Sequence, residues 1–267
     1  MCYSQEVQLA TSLIILASTL FSYIFYSRKY KKSKNKWPLS FLNSVMLVFV
    51  FIGLHQFFEF FSLFTSSLWI YKTGLIISIS SCYFLLRSLE ILANKKIYSK
   101  IALVVILLVS LQILFSQMNF ESKSFYLSHN SALLWGAAWL FLFIYWHVCA
   151  FKIYSENNSR KTLILYLLAV ADFSFILSAV YVLSGHFLFS VNVCTDSPSI
   201  WCTFYVIQSL LIPFLLSRLP KSFERNKQTK LSARQIIIFL LISLLVLMLL
   251  ALTLPLFNCL SWKLVFP

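Results

Sequence analysis

The sequence predicts an all-α fold: a polytopic transmembrane bundle of about eight helices, with both termini extracytoplasmic. Three observations support this prediction. Hydrophobic residues make up 60% of the 267 residues and charged residues only 11%, whereas soluble domains contain about 45–50% apolar and about 25% charged residues. The apolar residues are gathered into long segments, and the basic residues concentrate in alternate loops. Residues 1–267 are therefore expected to form one integral-membrane domain.

Each apolar segment is long enough to cross a bilayer as a helix. A helix needs about 20 residues, within a range of about 17–25, to cross a hydrocarbon core of about 30 Å. The first segment is expected to be retained, because its basic residues follow the apolar run, whereas those of a signal peptide precede it. The predicted spans cover approximately residues 8–26, 39–64, 68–92, 100–118, 131–153, 161–184, 199–217 and 235–257.

The distribution of basic residues predicts the orientation of these spans. Of the 22 Lys and Arg residues, 19 fall in or beside the loops that follow spans one, three, five and seven. Cytoplasmic loops carry such an excess of positive charge, so these loops are expected to face the cytoplasm and to attract anionic lipid headgroups. The net charge of +14 therefore does not indicate a nucleic-acid partner.

The second span carries a polar stretch in an otherwise apolar segment, Gly53-Leu54-His55-Gln56-Phe57-Phe58-Glu59. A carboxylate near a bilayer centre costs about 2.5–3.5 kcal/mol on insertion scales, so such a residue indicates a functional site. On a helix His55 and Glu59 lie one turn apart on one face, with Gln56 at its edge. We predict a ligand or proton site here that opens outward. The alternative is a hydrogen-bonded pair that only fixes helix packing.

Asp172 is a second acidic residue inside a predicted span. It lies near the middle of the sixth span, where acidic side chains serve ion or proton paths or form hydrogen bonds to a neighbouring helix. Asp172 is therefore added to the predicted ligand or proton site, with helix packing as its alternative role. His147, beside Trp146 on the fifth span, is interpreted as a packed or interfacial histidine.

Four of the six cysteines fall at or near the outer face: Cys2, Cys194, Cys202 and Cys259. An extracytoplasmic face permits disulfides. Cys194 and Cys202 bracket a short loop and form a candidate pair, although four cysteines allow three pairings and sequence does not choose among them. The other two, Cys82 and Cys149, lie within spans and are interpreted as small apolar residues.

Three short motifs resemble those of an uncharacterised family of bacterial multi-pass membrane proteins. They are Met1-Cys2-Tyr3-Ser4, the stretch 53–59, and Ser199-Ile200-Trp201-Cys202-Thr203-Phe204. Members of the family open with Met-Cys-aromatic-Ser and carry a (His/Gln)-Gln-x-x-Glu element on the second span. This chain departs from the family after Glu59, where Gly-x-x-Trp is usual. The resemblance implies a bacterial inner-membrane protein, but the family has no established activity to lend.

The resembling motifs would lie near one another if spans one, two and seven are neighbours. Cys2, His55, Glu59 and Cys202 all fall at the outer terminus or in the outer half of their spans. Thiol, imidazole and carboxylate together suit a soft or borderline metal such as copper or zinc. Removal of Met1 would add a free amine beside the Cys2 thiol. These four residues are therefore a predicted metal site.

The favoured function is non-enzymatic: sensing, binding or carriage of a small ligand, proton or metal ion. The alternatives are a membrane-embedded redox or hydrolytic enzyme that uses the same cysteine, histidine and glutamate group, and a structural membrane partner. The sequence contains neither a nucleophile elbow nor an H-E-x-x-H zinc motif. No catalytic residue and no oligomeric state are therefore assigned from the sequence.

Overall fold

The structure is a computed structural model that describes residues 5–31, 37–93, 98–116, 118–121, 124–127, 129–156, 163–165, 167–174 and 202–211. Two compact units are distinguished and are described separately, one of residues 5–150 and one that contains the described residues from 151 onward. The helices are α1 (Gln5–Lys31), α2 (Trp37–Thr65), α3 (Leu68–Ala93), α4 (Tyr98–Phe115) and α5 (His129–Glu156). One hairpin, β1 (Met118–Glu121) with β2 (Ser124–Leu127), precedes α5.

All five named helices are long and apolar enough to cross a membrane. They correspond to the first five predicted spans, so the helical membrane-type architecture agrees with the sequence prediction at this level. Shorter helical segments at 163–174 and Cys202–Leu211 fall within predicted spans six and seven. The eighth predicted span, residues 235–257, lies outside the described residues. The count of eight spans and the position of the termini therefore stay predictions.

Most helix boundaries differ from the predicted ones by a few residues, and two of these differences concern the ends of α1 and α4. Helix α1 continues to Lys31 rather than ending at residue 26, because nothing in the sequence of its last turn stops a helix. The loop expected after the fourth span contains the antiparallel hairpin, in which Asn119 pairs with Tyr126 and Glu121 with Ser124. Helix α4 accordingly ends at Phe115, three residues before the predicted end of its span.

Helices α1, α2, α3 and α4 pack in chain order, so α2 contacts both α1 and α3. The buried core of this unit is apolar and includes Ile15, Leu42, Ile52, Leu75 and Leu86. The surface away from it is also apolar, as expected for helices that face lipid. On α2 this surface carries an aromatic row in which Phe57, Phe61 and Phe64 are exposed.

A two-residue turn joins α2 to α3. Ser66 has a left-handed φ of 53°, and the Ser67 N–H donates to the Ser62 carbonyl at 3.1 Å. This is the six-to-one bond of a Schellman motif, which satisfies a carbonyl that the end of a helix would otherwise leave unpaired. Ser67 then accepts a backbone bond from Tyr71 and begins α3. The turn makes α2 and α3 an antiparallel pair.

Candidate functional site

His55 and Glu59 lie together on α2, one turn apart and inside the helix bundle. Their side chains are almost fully buried, with His55 8% and Glu59 1% exposed. The distance from His55 Nε2 to Glu59 Oε1 is 3.6 Å, which is beyond the usual length of a hydrogen bond. The helical period that predicted this pairing therefore places the two groups on one face, but it leaves a gap between them.

Helix α3 fixes the orientation of the imidazole. His55 Nδ1 lies 3.0 Å from the Gly74 carbonyl oxygen. Because a carbonyl oxygen can only accept, Nδ1 must carry a proton and donate it. Gly74 also permits the close approach of the two helices, since a Cβ at this position would lie 3.0 Å from the Phe58 Cβ and 3.7 Å from the Glu59 amide nitrogen.

Helix α1 reaches the other side of the carboxylate. Gln8 Nε2 donates to Glu59 Oε2 at 3.4 Å, and one turn further along α1 the Ser12 hydroxyl donates to the Gly53 carbonyl at 3.0 Å. The absence of a side chain at Gly53 makes room for Leu16, whose Cδ2 would lie 2.7 Å from a Cβ there. Gln8 was missed from the sequence. Its spacing of four from Ser12 on a buried stripe was the available signal.

Two further polar residues on this helix, the predicted Gln56 and the neighbouring Ser62, are also buried. Gln56 is 5% exposed and precedes Glu59 by three residues. The Ser62 hydroxyl is used within the helix, where it donates to the Glu59 carbonyl at 2.7 Å. The site therefore consists of His55 and Glu59, with Gln8 from α1 and the Gly74 carbonyl from α3 as direct partners.

The Glu59 carboxylate is incompletely satisfied within the described chain. Its Oε1 atom is buried and has no hydrogen-bond donor among the residues that the structure describes. If the imidazole were charged, its attraction to the carboxylate would be about 5 kcal/mol at an effective dielectric constant of about 20. Desolvation costs several kcal/mol for each of the two ions. The ion pair alone therefore does not clearly outweigh the cost of burying both charges.

Lys72, by contrast, has a structural role that the sequence did not show. Its ammonium group donates to the carbonyls of Leu114 and Ser116 at 2.8 and 2.9 Å, and it lies 5.3 Å from the centre of the Trp69 ring. These carbonyls are at the C-terminal end of α4, where a helix carries partial negative charge. Lys72 thus caps α4 from the side of α3.

Glu90 performs the opposite task at the other end of α4. Its Oε1 accepts from the Ser99 N–H at 2.9 Å, and its Oε2 accepts from Arg87 Nη1 at 2.6 Å. Ser99 is in the first turn of α4, where N–H groups lack helical partners. The buried charges of Lys72 and Glu90 are therefore both explained by α4, whereas Glu59 Oε1 has no hydrogen-bond donor among the residues that the structure describes.

Asp172 and Cys202 belong to the second unit. Asp172 is buried, at 2% exposure, in the helical segment 167–174. Cys202 is disulfide-bonded, and the predicted partner Cys194 lies outside the described residues, so that pairing stays a prediction. Cys82 and Cys149 are free and buried, in agreement with their interpretation as small apolar residues.

The predicted metal set is only partly described. Cys2 lies outside the described residues, and the sulfur of Cys202 is part of a disulfide rather than a thiolate. Among the described residues, no group of three or more His, Cys, Asp and Glu side chains is arranged to hold a metal ion. Of the predicted metal ligands, the two that the structure describes side by side are therefore His55 and Glu59.

His147 provides a contrast to His55. Its Nδ1 lies 3.0 Å from the Phe143 carbonyl of its own helix, and its ring packs against those of Phe143 and Trp146. This is the packed histidine that the sequence predicted, and aromatic rings lie against its imidazole.

Comparisons with models of protein families, with curated proteins and with solved structures find no match to this chain. The functional interpretation therefore depends on the geometry around Glu59.

Proposed function

We propose that this chain is a multi-pass membrane protein that senses, binds or carries a small cation, and that the cation occupies the gap between His55 and Glu59. One observation carries the proposal: Glu59 Oε1 is buried, without a hydrogen-bond donor among the described residues. A carboxylate in an apolar helix bundle needs a compensating positive charge. A proton or a metal ion would supply it.

A role in packing alone explains the geometry less well. A pair that serves only to stabilise α2, by a side-chain contact one turn apart, would be expected to close to about 2.7–2.9 Å, the length of a charge-assisted hydrogen bond. The observed distance from nitrogen to oxygen is 3.6 Å. His55 Nδ1 donates to the Gly74 carbonyl, and Glu59 Oε2 accepts from Gln8. The other two atoms, His55 Nε2 and Glu59 Oε1, therefore face each other across the gap of 3.6 Å.

The proposed topology has eight spans, with both termini outside a bacterial inner membrane. Arg28, Lys29 and Lys31 in the last turn of α1 are exposed, as expected for a cytoplasmic end that contacts anionic lipid headgroups. The α2–α3 turn is then extracytoplasmic, and Glu59 lies about 9 Å from the outer end of α2. Labelling of Ser66→Cys by a membrane-impermeant thiol reagent in intact cells would support this topology, and labelling only after lysis would contradict it.

Cation binding is tested through its linkage to stability. A cation that binds only the folded protein stabilises it. Once the cation concentration exceeds the dissociation constant, the stabilisation grows with the logarithm of that concentration. In lipid nanodiscs, the unfolding midpoint of the wild type is expected to change with pH or with added Zn²⁺. Glu59→Gln, which keeps the shape but removes the charge, is expected to lose that response. Ser62→Ala is the control, because it alters a neighbouring hydroxyl that bonds only its own helix. Equal responses of wild type and Glu59→Gln to both cations would refute the proposal.

A further inference from the structure

The neutral His55 side chain presents a lone pair, and not a proton, to Glu59. Its Nδ1 proton is committed to the Gly74 carbonyl at 3.0 Å, so in the neutral ring Nε2 is unprotonated. Metal-bound histidines almost always hold their second ring nitrogen in this way, by donating to a backbone carbonyl, a carboxylate or water. The backbone of α3 therefore gives His55 the tautomer and the orientation of a metal ligand.

The second electron-rich atom is Glu59 Oε1, which faces Nε2 across 3.6 Å and lacks a donor in the described part of the chain. Zinc binds imidazole nitrogen at about 2.0–2.1 Å and carboxylate oxygen at about 2.0–2.2 Å. With those bond lengths, ligand atoms 3.6 Å apart subtend an angle of about 120° at the ion. This angle is within the range of a distorted tetrahedral site.

We propose that the cation at this site is a divalent transition-metal ion of the zinc and copper type, with His55 Nε2 and Glu59 Oε1 as its ligands. This inference rests on the proposed function and specifies its cation. The imidazole ligand disfavours Mg²⁺ and Ca²⁺, which take oxygen ligands. Among first-row divalent ions, affinity for a site with nitrogen and oxygen ligands is greatest for Cu²⁺ and falls again at Zn²⁺.

The two ligands that α2 supplies suit exchange of the ion better than permanent retention. Structural zinc sites use four protein ligands, whereas sites that react or exchange keep positions open. Here two protein ligands come from α2, and the described residues hold no group of three or more His, Cys, Asp and Glu side chains arranged to hold a metal ion. A divalent ion on one carboxylate and one neutral imidazole also leaves one net positive charge, which weakens retention in apolar surroundings. These properties suit a sensor or a carrier.

The test is zinc binding by the full-length protein in lipid nanodiscs after removal of metals with a chelator. Equilibrium dialysis followed by elemental mass spectrometry is expected to give about one Zn²⁺ per wild-type chain. Loss of a direct ligand should lower the affinity at least as much as loss of an outer partner, which is about 10–100-fold, so His55→Asn and Glu59→Gln should each fall by that factor or more. His147→Asn is the matched control, since it removes a histidine with a similar carbonyl contact and should bind as the wild type does.

X-ray absorption at the zinc edge of the wild-type protein gives a second readout that needs no variant to fold. The expected spectrum contains only nitrogen and oxygen ligands, with one imidazole. Sulfur ligands would overturn the assignment and point to the cysteines, as would unchanged affinity in folded His55→Asn and Glu59→Gln. If zinc does not bind but the pH response of stability still depends on Glu59, the assignment of the metal is overturned and the proposed function is retained. If neither cation acts through Glu59, the proposed function fails as well.

Discussion

Replacing Gly74 with alanine tests the close contact that holds α3 against the site. A Cβ at Gly74 would lie 3.0 Å from the Phe58 Cβ, 3.5 Å from the His55 carbonyl oxygen and 3.7 Å from the Glu59 amide nitrogen. The Phe58 Cβ is attached directly to the α2 backbone and cannot rotate away. The added methyl group must therefore separate the two helices and lengthen the bond from His55 to the Gly74 carbonyl.

The expected magnitude is the difference between two opposing effects. Overpacking a close contact typically costs about 1–3 kcal/mol, whereas alanine in place of glycine inside a helix gains about 1 kcal/mol. Gly136 on α5 supplies the control, because a Cβ there would meet nothing within 4 Å. Gly136→Ala therefore reports the gain in helix propensity alone. Gly74→Ala should be less stable than Gly136→Ala by about 1–3 kcal/mol.

The assay is equilibrium unfolding in mixed micelles with an increasing fraction of denaturing detergent, followed by circular dichroism. The free energies of unfolding of the two variants are each compared with that of the wild type. If Gly74→Ala is as stable as Gly136→Ala, the two helices do not meet closely at Gly74. The conclusion that the Gly74 carbonyl orients His55 would then be wrong as well.

Three further predictions concern the ends of helices and are checked by the same unfolding assay. Lys72→Met should cost about 1–3 kcal/mol, because two carbonyls at the end of α4 lose a charged donor; unchanged stability would contradict the cap. Glu90→Ala and Arg87→Ala should both lower the free energy of unfolding, the first because it leaves the buried Ser99 N–H unsatisfied and the second because it leaves the buried Glu90 carboxylate, whose side chain is 1% exposed, without its cation; unchanged stability in either variant would refute this account. Ser66→Gly should stabilise the α2–α3 turn by up to about 1 kcal/mol, since glycine adopts a positive φ without the cost paid by other residues; a loss of stability would show that the serine side chain is needed.

The helices were predictable because each is encoded by a local property. A run of apolar residues of sufficient length specifies a helix wherever it is buried or meets lipid, and it identified α2 as 39–64 where the structure has Trp37–Thr65. The 100° turn per residue likewise placed His55 and Glu59 on one face, where the structure has them. Both arguments use only residues that are close in sequence.

The partners from other helices were not predictable, because they depend on how the helices pack. Gln8 is 51 positions from Glu59, and the Gly74 carbonyl that orients His55 is a backbone atom with no signature in the sequence. Lys72 is one of the three basic residues outside the predicted cytoplasmic loops, and nothing in the sequence shows that it is buried against α4. The hairpin was missed because its two strands have four residues each and contain no long apolar run.

The two charges that α3 places at the ends of α4 also fix how this pair of helices can respond to its bilayer. Lys72 and Glu90 are separated by 18 positions, or about 27 Å along α3, which matches the 18 residues of α4. If α4 slid or tilted alone, it would break either the contact of Lys72 with the end of α4 or the contact of Glu90 with its start. A helix normally adapts to a thicker or thinner membrane by changing its tilt, but α3 and α4 can do so only together. The α3–α4 pair should therefore tilt as one unit when the thickness of the bilayer changes.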